Sequence, residues 1–272
     1  MAKKFVVRCD IEGVSGVVSY EQAEPGKSEF DFGKRMFMDD LLALVTGLND
    51  GGADEILIYD EHYYGRNVDM DALPENVTVI CGKPLYTVKS AGGLDENCTG
   101  MILLGYHSKR GTSDALLNHT YEPDIKNIVL NGVSVGEIGV EAAIAGDFDV
   151  PFVLITGDSE GVREARELVD NVNGVIVKES MSEFGALCYS VEKTSKDIYE
   201  AAKKIASEGT AEILPYKVKG AANLKVEFFD TPFAQLYLKE FGEPVFNEKT
   251  VNECWIKYCM NKNVINAKLA EM

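Results

Sequence analysis

Phe5-Val6-Val7-Arg8-Cys9-Asp10-Ile11-Glu12-Gly13 decides the fold of this chain. Phe5, Val6, Val7 and Cys9 suit a buried β-strand, and two carboxylates alternate at its exit. Residues two apart on an extended backbone point the same way, so Asp10 and Glu12 share a face while Cys9 and Ile11 take the other. Gly13 and Gly16 let the chain turn sharply away. Two carboxylates at the end of a buried strand are costly unless something positive sits between them, and a metal ion is the simplest such group.

The three histidines extend this pattern. His62 closes Ile56-Leu57-Ile58-Tyr59-Asp60-Glu61-His62, and His107 closes Met101-Ile102-Leu103-Leu104-Gly105-Tyr106-His107. Each stands just past an apolar, strand-like run, and His119 follows in a polar loop. Open parallel sheets bind ligands beyond the carboxyl ends of their strands. Any one of these histidines read alone is a surface or hydrogen-bonded residue. Arriving on matching strand ends, His62 and His107 join Asp10 and Glu12 at one rim.

Length and composition set the bounds. The chain has 272 residues, 46% of them hydrophobic, enough for one large domain or two moderate ones with a substantial core. A formal net charge of −17 argues against a nucleic-acid partner bound through a basic surface. Arg8, Asp10 and Glu12 interrupt what would have to be the apolar segment of a secretory signal. No run approaches the roughly 18–20 apolar residues of a membrane span, so no membrane partner is expected. The six cysteines form no CxxC pair, and Cys254 and Cys259 read as small packing residues. These features together imply a cytoplasmic protein.

Farther along, a helix is predicted from near Ser28, with Asp31 as an approximate capping partner and Gly51-Gly52 as its stop. Strands are expected at Glu55–Tyr59, Val77–Cys81 and Met101–Leu104, while residues 83–94 read ambiguously. Asn131-Gly132 suits the type I′ turn of a hairpin over residues 128–135. A small-residue helix opens at Gly136-Glu137, followed by strand Val150–Thr156, helix Glu160–Val169 and strand Gly174–Val177. Strands alternating with helices imply an α/β fold with a mostly parallel sheet flanked by helices. Beyond Lys193 come a helix over Asp197–Ala206, a strand over Leu224–Phe229 and a last helix over Thr250–Leu269. The expected division is an α/β metal-binding catalytic domain over residues 1–190 and a smaller α+β domain over 191–272.

Asp10, Glu12, His62 and His107 supply the nitrogen and oxygen donors that suit zinc, with manganese or cobalt as alternatives. Two imidazoles among four donors disfavour calcium. A carboxylate can bridge two ions about 3.5–4 Å apart, and a second ion needs another carboxylate. Glu137, beside Gly136, is the best placed, although an acid at a helix start is also favoured by the helix dipole alone. Asp60 reads either as an orienting partner of an imidazole or as a turn former at the strand end.

Asp10-Ile11-Glu12-Gly13, Asp60-Glu61-His62, Leu104-Gly105-Tyr106-His107, Asn118-His119 and Val135-Gly136-Glu137-Ile138-Gly139 together resemble the zinc-dependent D-aminopeptidases of bacterial dipeptide-transport operons. The resemblance covers most of the chain to about residue 180 and weakens after it. It implies that Asp10, Glu12, His62, His107 and Glu137 are ligands of a two-zinc centre and that His119 is the catalytic histidine. It further implies hydrolysis of short peptides with an N-terminal D-residue, of the D-Ala-D-Ala type, by a di-zinc-activated water. The implied assembly is a ring-shaped homo-oligomer, with ten subunits as the candidate number. This chain departs from the family in two places. Arg8 stands where the leading serine of Ser-x-Asp-x-Glu-Gly is expected, and the loop from His107 to His119 is about one residue longer.

Two other functions fit the same residues. Another di-metal hydrolase, a phosphoesterase or amidase, would share the cluster, but a phosphoesterase should carry a phosphate cradle and no GxxxxGK[ST] pattern is present. A non-catalytic metal- or peptide-binding protein would have no need of His119.

Overall fold

The computed structural model describes residues 2–83 and 91–271. Strand β1 (Lys4–Cys9) forms because Phe5, Val6, Val7 and Cys9 can be buried without any solvent-facing side, and all four are fully buried. Parallel neighbours flank it, β2 (Glu55–Asp60) on one side and β4 (Cys98–Tyr106) on the other. The register pairs Cys9 with Asp60 and with Leu104, so all three strands end at one level.

Between β1 and β2 run the short helix α1 (Tyr20–Ala23) and the long helix α2 (Phe30–Asp50). The latter starts after Glu29 with no side-chain cap, because Ser28 Oγ donates to Glu21 instead. Asp31 therefore caps nothing, contrary to the sequence expectation, whereas the stop at Gly51 is as expected. Strand β3 (Val77–Ile80) lies at the sheet edge. Of the ambiguous stretch 83–94, residues 84–90 lie outside the described residues.

The hairpin of β5 (Ile125–Leu130) and β6 (Val133–Val135) turns through Asn131 and Gly132, both at positive φ (46° and 83°). This is the backbone that a type I′ turn requires. Helix α3 (Glu137–Asp147), strand β7 (Phe152–Asp158), helix α4 (Ser159–Leu168) and strand β8 (Asn173–Ser182) continue the α/β alternation. Strand β9 (Gly185–Cys188) adds an antiparallel edge. The large sheet runs β3-β2-β1-β4-β7-β8-β9, parallel except at that edge. Helix α5 (Val191–Glu208) packs along α2, and α3 packs on α4.

A second sheet, entirely antiparallel, orders β11 (Val245–Glu248), β10 (Ala222–Phe228), β5 and β6. Two of its strands precede residue 190 and two follow it, while α5 belongs to the layer beside α2. Helix α6 (Pro232–Phe241) and the final helix α7 (Val251–Ala270) cover this sheet, and α7 also packs on α3. A capping box starts α7: Thr250 Oγ1 accepts from Glu253 N at 3.1 Å, and Glu253 Oε2 accepts from Thr250 N at 3.2 Å. Among the described residues no helix is long and apolar enough to cross a membrane.

Candidate metal centre

Strand order 3-2-1-4 reverses direction at β1, the point where an open parallel sheet leaves a crevice beyond its carboxyl edge. Asp10 follows β1, His62 stands two residues past β2, and His107 follows β4. Their loops are locked together at the backbone. Asp10 N donates to Leu104 O at 2.9 Å, and Gly13 N donates to Gly105 O at 2.7 Å. A Cβ at Gly13 would stand 2.0 Å from Tyr106 O, and one at Gly105 (φ +75°) 2.2 Å from Asp10 O. Only glycine permits that approach.

The two oxygens of Asp10 face different histidines. Oδ1 lies 2.7 Å from His62 Nδ1, and Oδ2 lies 3.3 Å from His107 Nε2. Glu12 Oε2 is 3.1 Å from His62 Nδ1. Glu137, the first residue of α3, places Oε1 at 3.6 Å from His107 Nε2 and 3.8 Å from His119 Nε2. Two sets of donors result, Asp10 with Glu12 and His62, and His107 with His119 and Glu137. Within each set the donor atoms lie within 4.8 Å of one another. The structure thus brings all six sequence-selected residues together and adds His119 Nε2 to the donors of the second set.

Each imidazole is oriented by a backbone carbonyl on its far side. His62 Nε2 donates to Ala23 O at 2.7 Å, His107 Nδ1 to Ser108 O at 2.9 Å, and His119 Nδ1 to Leu117 O at 3.0 Å. A carbonyl can only accept, so the proton on that nitrogen is fixed and the other nitrogen turns toward the carboxylates. Neither His107 Nε2 nor Glu12 Oε2, both buried, makes a well-aligned hydrogen bond to its nearest neighbour, Asp10 Oδ2 at 3.3 Å and His62 Nδ1 at 3.1 Å. Such groups cost free energy unless something positive completes them. A divalent cation fits both: it needs unprotonated imidazole nitrogens and carboxylate oxygens converging from separate elements.

The electrostatics carry the mark of that crowding. Burial works to lower the pKa of His62, but the Glu12 and Asp10 carboxylates outweigh it and hold the ring well above its usual value. In His107 burial is likewise overcome, here by Asp10 and Glu137, and the pKa rises to about 10. Burial, reinforced by Asp10 and Glu12, pushes Glu137 up to about 8 although the His107 ring and the Tyr121 N–H oppose it. His119 goes the other way, to about 4, through burial and the neighbouring His107 charge.

Asp60 does not orient an imidazole. Its carboxylate accepts from Asn67 N at 2.6 Å and Asn67 Nδ2 at 2.8 Å, and Asn67 Nδ2 also donates to His62 O at 2.9 Å. It closes the loop behind His62, the turn-forming role. Two buried cations escaped the sequence reading. Lys178 on β8 is fully buried and its Nζ donates to the carbonyls of Glu12, Val14 and Val17, holding the loop that carries Glu12. Arg8, also fully buried, pairs with Glu141 one turn beyond Glu137 and with Glu61 Oε1 at 3.3 Å.

The cluster lies in a cavity of about 820 Å³ whose walls include Tyr20, Tyr63, Arg110, Tyr121, Trp255 and Lys262. Residues 3–251 match the sequence model of the M55 peptidases, described as D-aminopeptidase. The chain belongs to the D-aminopeptidase family. A D-aminopeptidase of Bacillus subtilis is 27% identical over 227 residues, covering 83% of this chain and 81% of the relative. The same fold occurs in a solved structure of the "Zn-dependent D-aminopeptidase DppA from Bacillus subtilis, a self-compartmentalizing protease". The likeness to it has a TM-score of 0.86 and 24% identity, over 97% of each chain. Membership in the D-aminopeptidase family sets aside the phosphoesterase reading and that of a non-catalytic metal- or peptide-binding protein. Helix α7 supplies Trp255, Cys259 and Lys262 to the cavity, a contribution that no motif announced.

Proposed function

We propose that this member of the D-aminopeptidase family hydrolyses short peptides with an N-terminal D-residue, of the D-Ala-D-Ala type, at a centre of two zinc ions. The observation that carries the proposal is Asp10, whose Oδ1 and Oδ2 face His62 Nδ1 at 2.7 Å and His107 Nε2 at 3.3 Å. Asp10, Glu12 and His62 would hold one ion, and Asp10, His107 and Glu137 would hold the other. The donor set of imidazole nitrogens and carboxylate oxygens suits zinc. Zinc when bound supplies Lewis acidity, polarising a peptide carbonyl and lowering the pKa of water toward neutrality.

The chain's own residues do the rest. His119 Nδ1 is committed to Leu117 O, so Nε2 is the nitrogen that faces the cluster. In the metal-free cluster burial and the His107 charge lower its pKa to about 4, which leaves that nitrogen unprotonated near neutral pH. His119 accepts a proton there and returns it to the leaving amine, or, once protonated, steadies the oxyanion. Tyr20, whose ring centroid is 6.0 Å from that of His119, and Tyr121 wall the cavity and limit access of bulk water.

The chain assembles as a closed homo-oligomer, with ten subunits as the candidate number, and works in the cytoplasm. The B. subtilis structure is described as a self-compartmentalizing protease. Here Met181, Phe184 and Leu187 stand exposed at the β8–β9 edge, apolar surface that a second copy would cover.

The test is a panel of dipeptides with D- or L-residues at the amino end, given to zinc-replete protein. Cleavage of D-Ala-D-Ala and its relatives ahead of their L-counterparts is expected. Cleavage of L-peptides only, or of none, would overturn the reading.

A further inference from the structure

The described walls of the cavity hold three cationic side chains, Lys83, Arg110 and Lys262, among many carboxylates. Two of the three are committed. Lys83 Nζ donates to the Glu61 carbonyl, and Lys262 Nζ pairs with Glu122 Oε1 at 2.6 Å. Arg110 differs. Among the described residues no carboxylate oxygen stands within ion-pair reach of its guanidinium, and Arg110 Nε is buried without a hydrogen-bond partner.

The side chain is nevertheless held in place. Its guanidinium carbon lies 5.4 Å from the centre of the Phe229 ring, and its backbone N–H donates to Thr120 Oγ1 at 3.1 Å. Gly111 N donates to Asn118 Oδ1 at 2.8 Å, which ties this part of the loop back to the residue before His119. Tyr20 feels the Arg110 charge together with that of Glu12, and its ring lies beside His119. Arg110 therefore stands at the reacting end of the cavity, ordered, with donors unspent.

We propose that Arg110 receives the C-terminal carboxylate of a short peptide substrate, which makes it a specificity-determining residue for peptides with a free carboxyl end. The inference rests on the peptidase reading above and adds the substrate feature that the site measures. A guanidinium presents paired donors whose spacing matches a carboxylate, and packing on Phe229 lowers the entropy lost on binding. In a chain of net charge −17 the Arg110 charge offsets the carboxylates that line the cavity and favours an anionic terminus at its own end of it.

The experiment compares D-Ala-D-Ala with its C-terminal amide on zinc-loaded wild type, Arg110→Gln and Arg110→Lys. Calorimetry with the reduced-bond analogues of both, the free acid and the amide, gives a binding readout that needs no turnover. Wild type should favour the acid by roughly 10- to 100-fold, through KM and Kd, as expected for one charge-assisted contact. Arg110→Gln should lose that preference while keeping wild-type values on the amide, and Arg110→Lys should recover part of it. Equal losses on acid and amide would make Arg110 a structural residue and overturn the assignment, as would a preference that survives in Arg110→Gln. An acid preference in binding that disappears in Arg110→Gln, without cleavage of any peptide, would support Arg110 and overturn the peptidase reading alone.

Discussion

The rings of His107 and His119 stack at a centroid distance of 4.1 Å and an interplanar angle of 12°. Both turn one nitrogen to a backbone carbonyl and the other toward Glu137. The stack lets His119 reach the second donor set, yet its Nε2 is farther from the carboxylate than that of His107. His119→Ala leaves Asp10, Glu12, His62, His107 and Glu137 in place, so it should keep both ions and lose kcat by about 10²–10⁴-fold, the range for a lost acid–base or oxyanion group. Elemental analysis beside single-turnover rates decides it. Loss of metal together with activity would make His119 a ligand, and full metal with near-normal turnover would make it only a loop residue.

Zinc loading should release protons. In the metal-free cluster His62 is held well above its usual pKa and His107 near 10 by the adjoining carboxylates, while burial holds Glu137 near 8. His107 and Glu137 carry a proton at pH 7, His62 is shifted toward keeping one, and a ligand must give it up. Zinc affinity should then rise with pH up to about 10 and fall at acid pH, where the protonated forms win. Calorimetry in buffers of different ionisation enthalpy should report about two to three protons released per chain at pH 7. Zero release would show that the rings are already neutral.

Lys178 should matter to stability and to one metal position only. Replacing it with Met leaves the carbonyls of Glu12, Val14 and Val17 without their buried donor. The expected cost is about 3 kcal/mol or more in denaturant unfolding. Zinc at the Glu12–His62 position should weaken more than zinc at the His107–Glu137 position, because only the loop of Glu12 is released. Equal weakening at both would place the effect on the fold as a whole.

The residues of the candidate metal cluster were legible because their signal is local. Asp10 and Glu12 share a strand face by period two, His62 and His107 end apolar runs, and Glu137 sits beside a glycine at a helix start. Arg8 and Lys178 carry no such signal. Their partners lie far off in the chain, at Glu141 for Arg8 and at Glu12, Val14 and Val17 for Lys178. The second sheet was hidden for the same reason. Its hairpin 125–135 is separated from β10 by the whole α3-to-α5 segment, and long-range antiparallel pairing leaves no periodicity. Capping failed at Ser28 because Glu21, seven residues back, competes for its hydroxyl.

Asp10 carries the account, since among the described residues it alone has an oxygen toward each histidine-containing half of the cluster. The most direct measurement is anomalous scattering at the zinc edge from crystals of zinc-loaded wild type and Asp10→Ala. Wild type should show two peaks about 3.5–4 Å apart, one beside His62 and Glu12 and the other beside His107 and Glu137, and Asp10→Ala should lose both. A single peak in wild type, or two full peaks in Asp10→Ala, would contradict a centre bridged by Asp10.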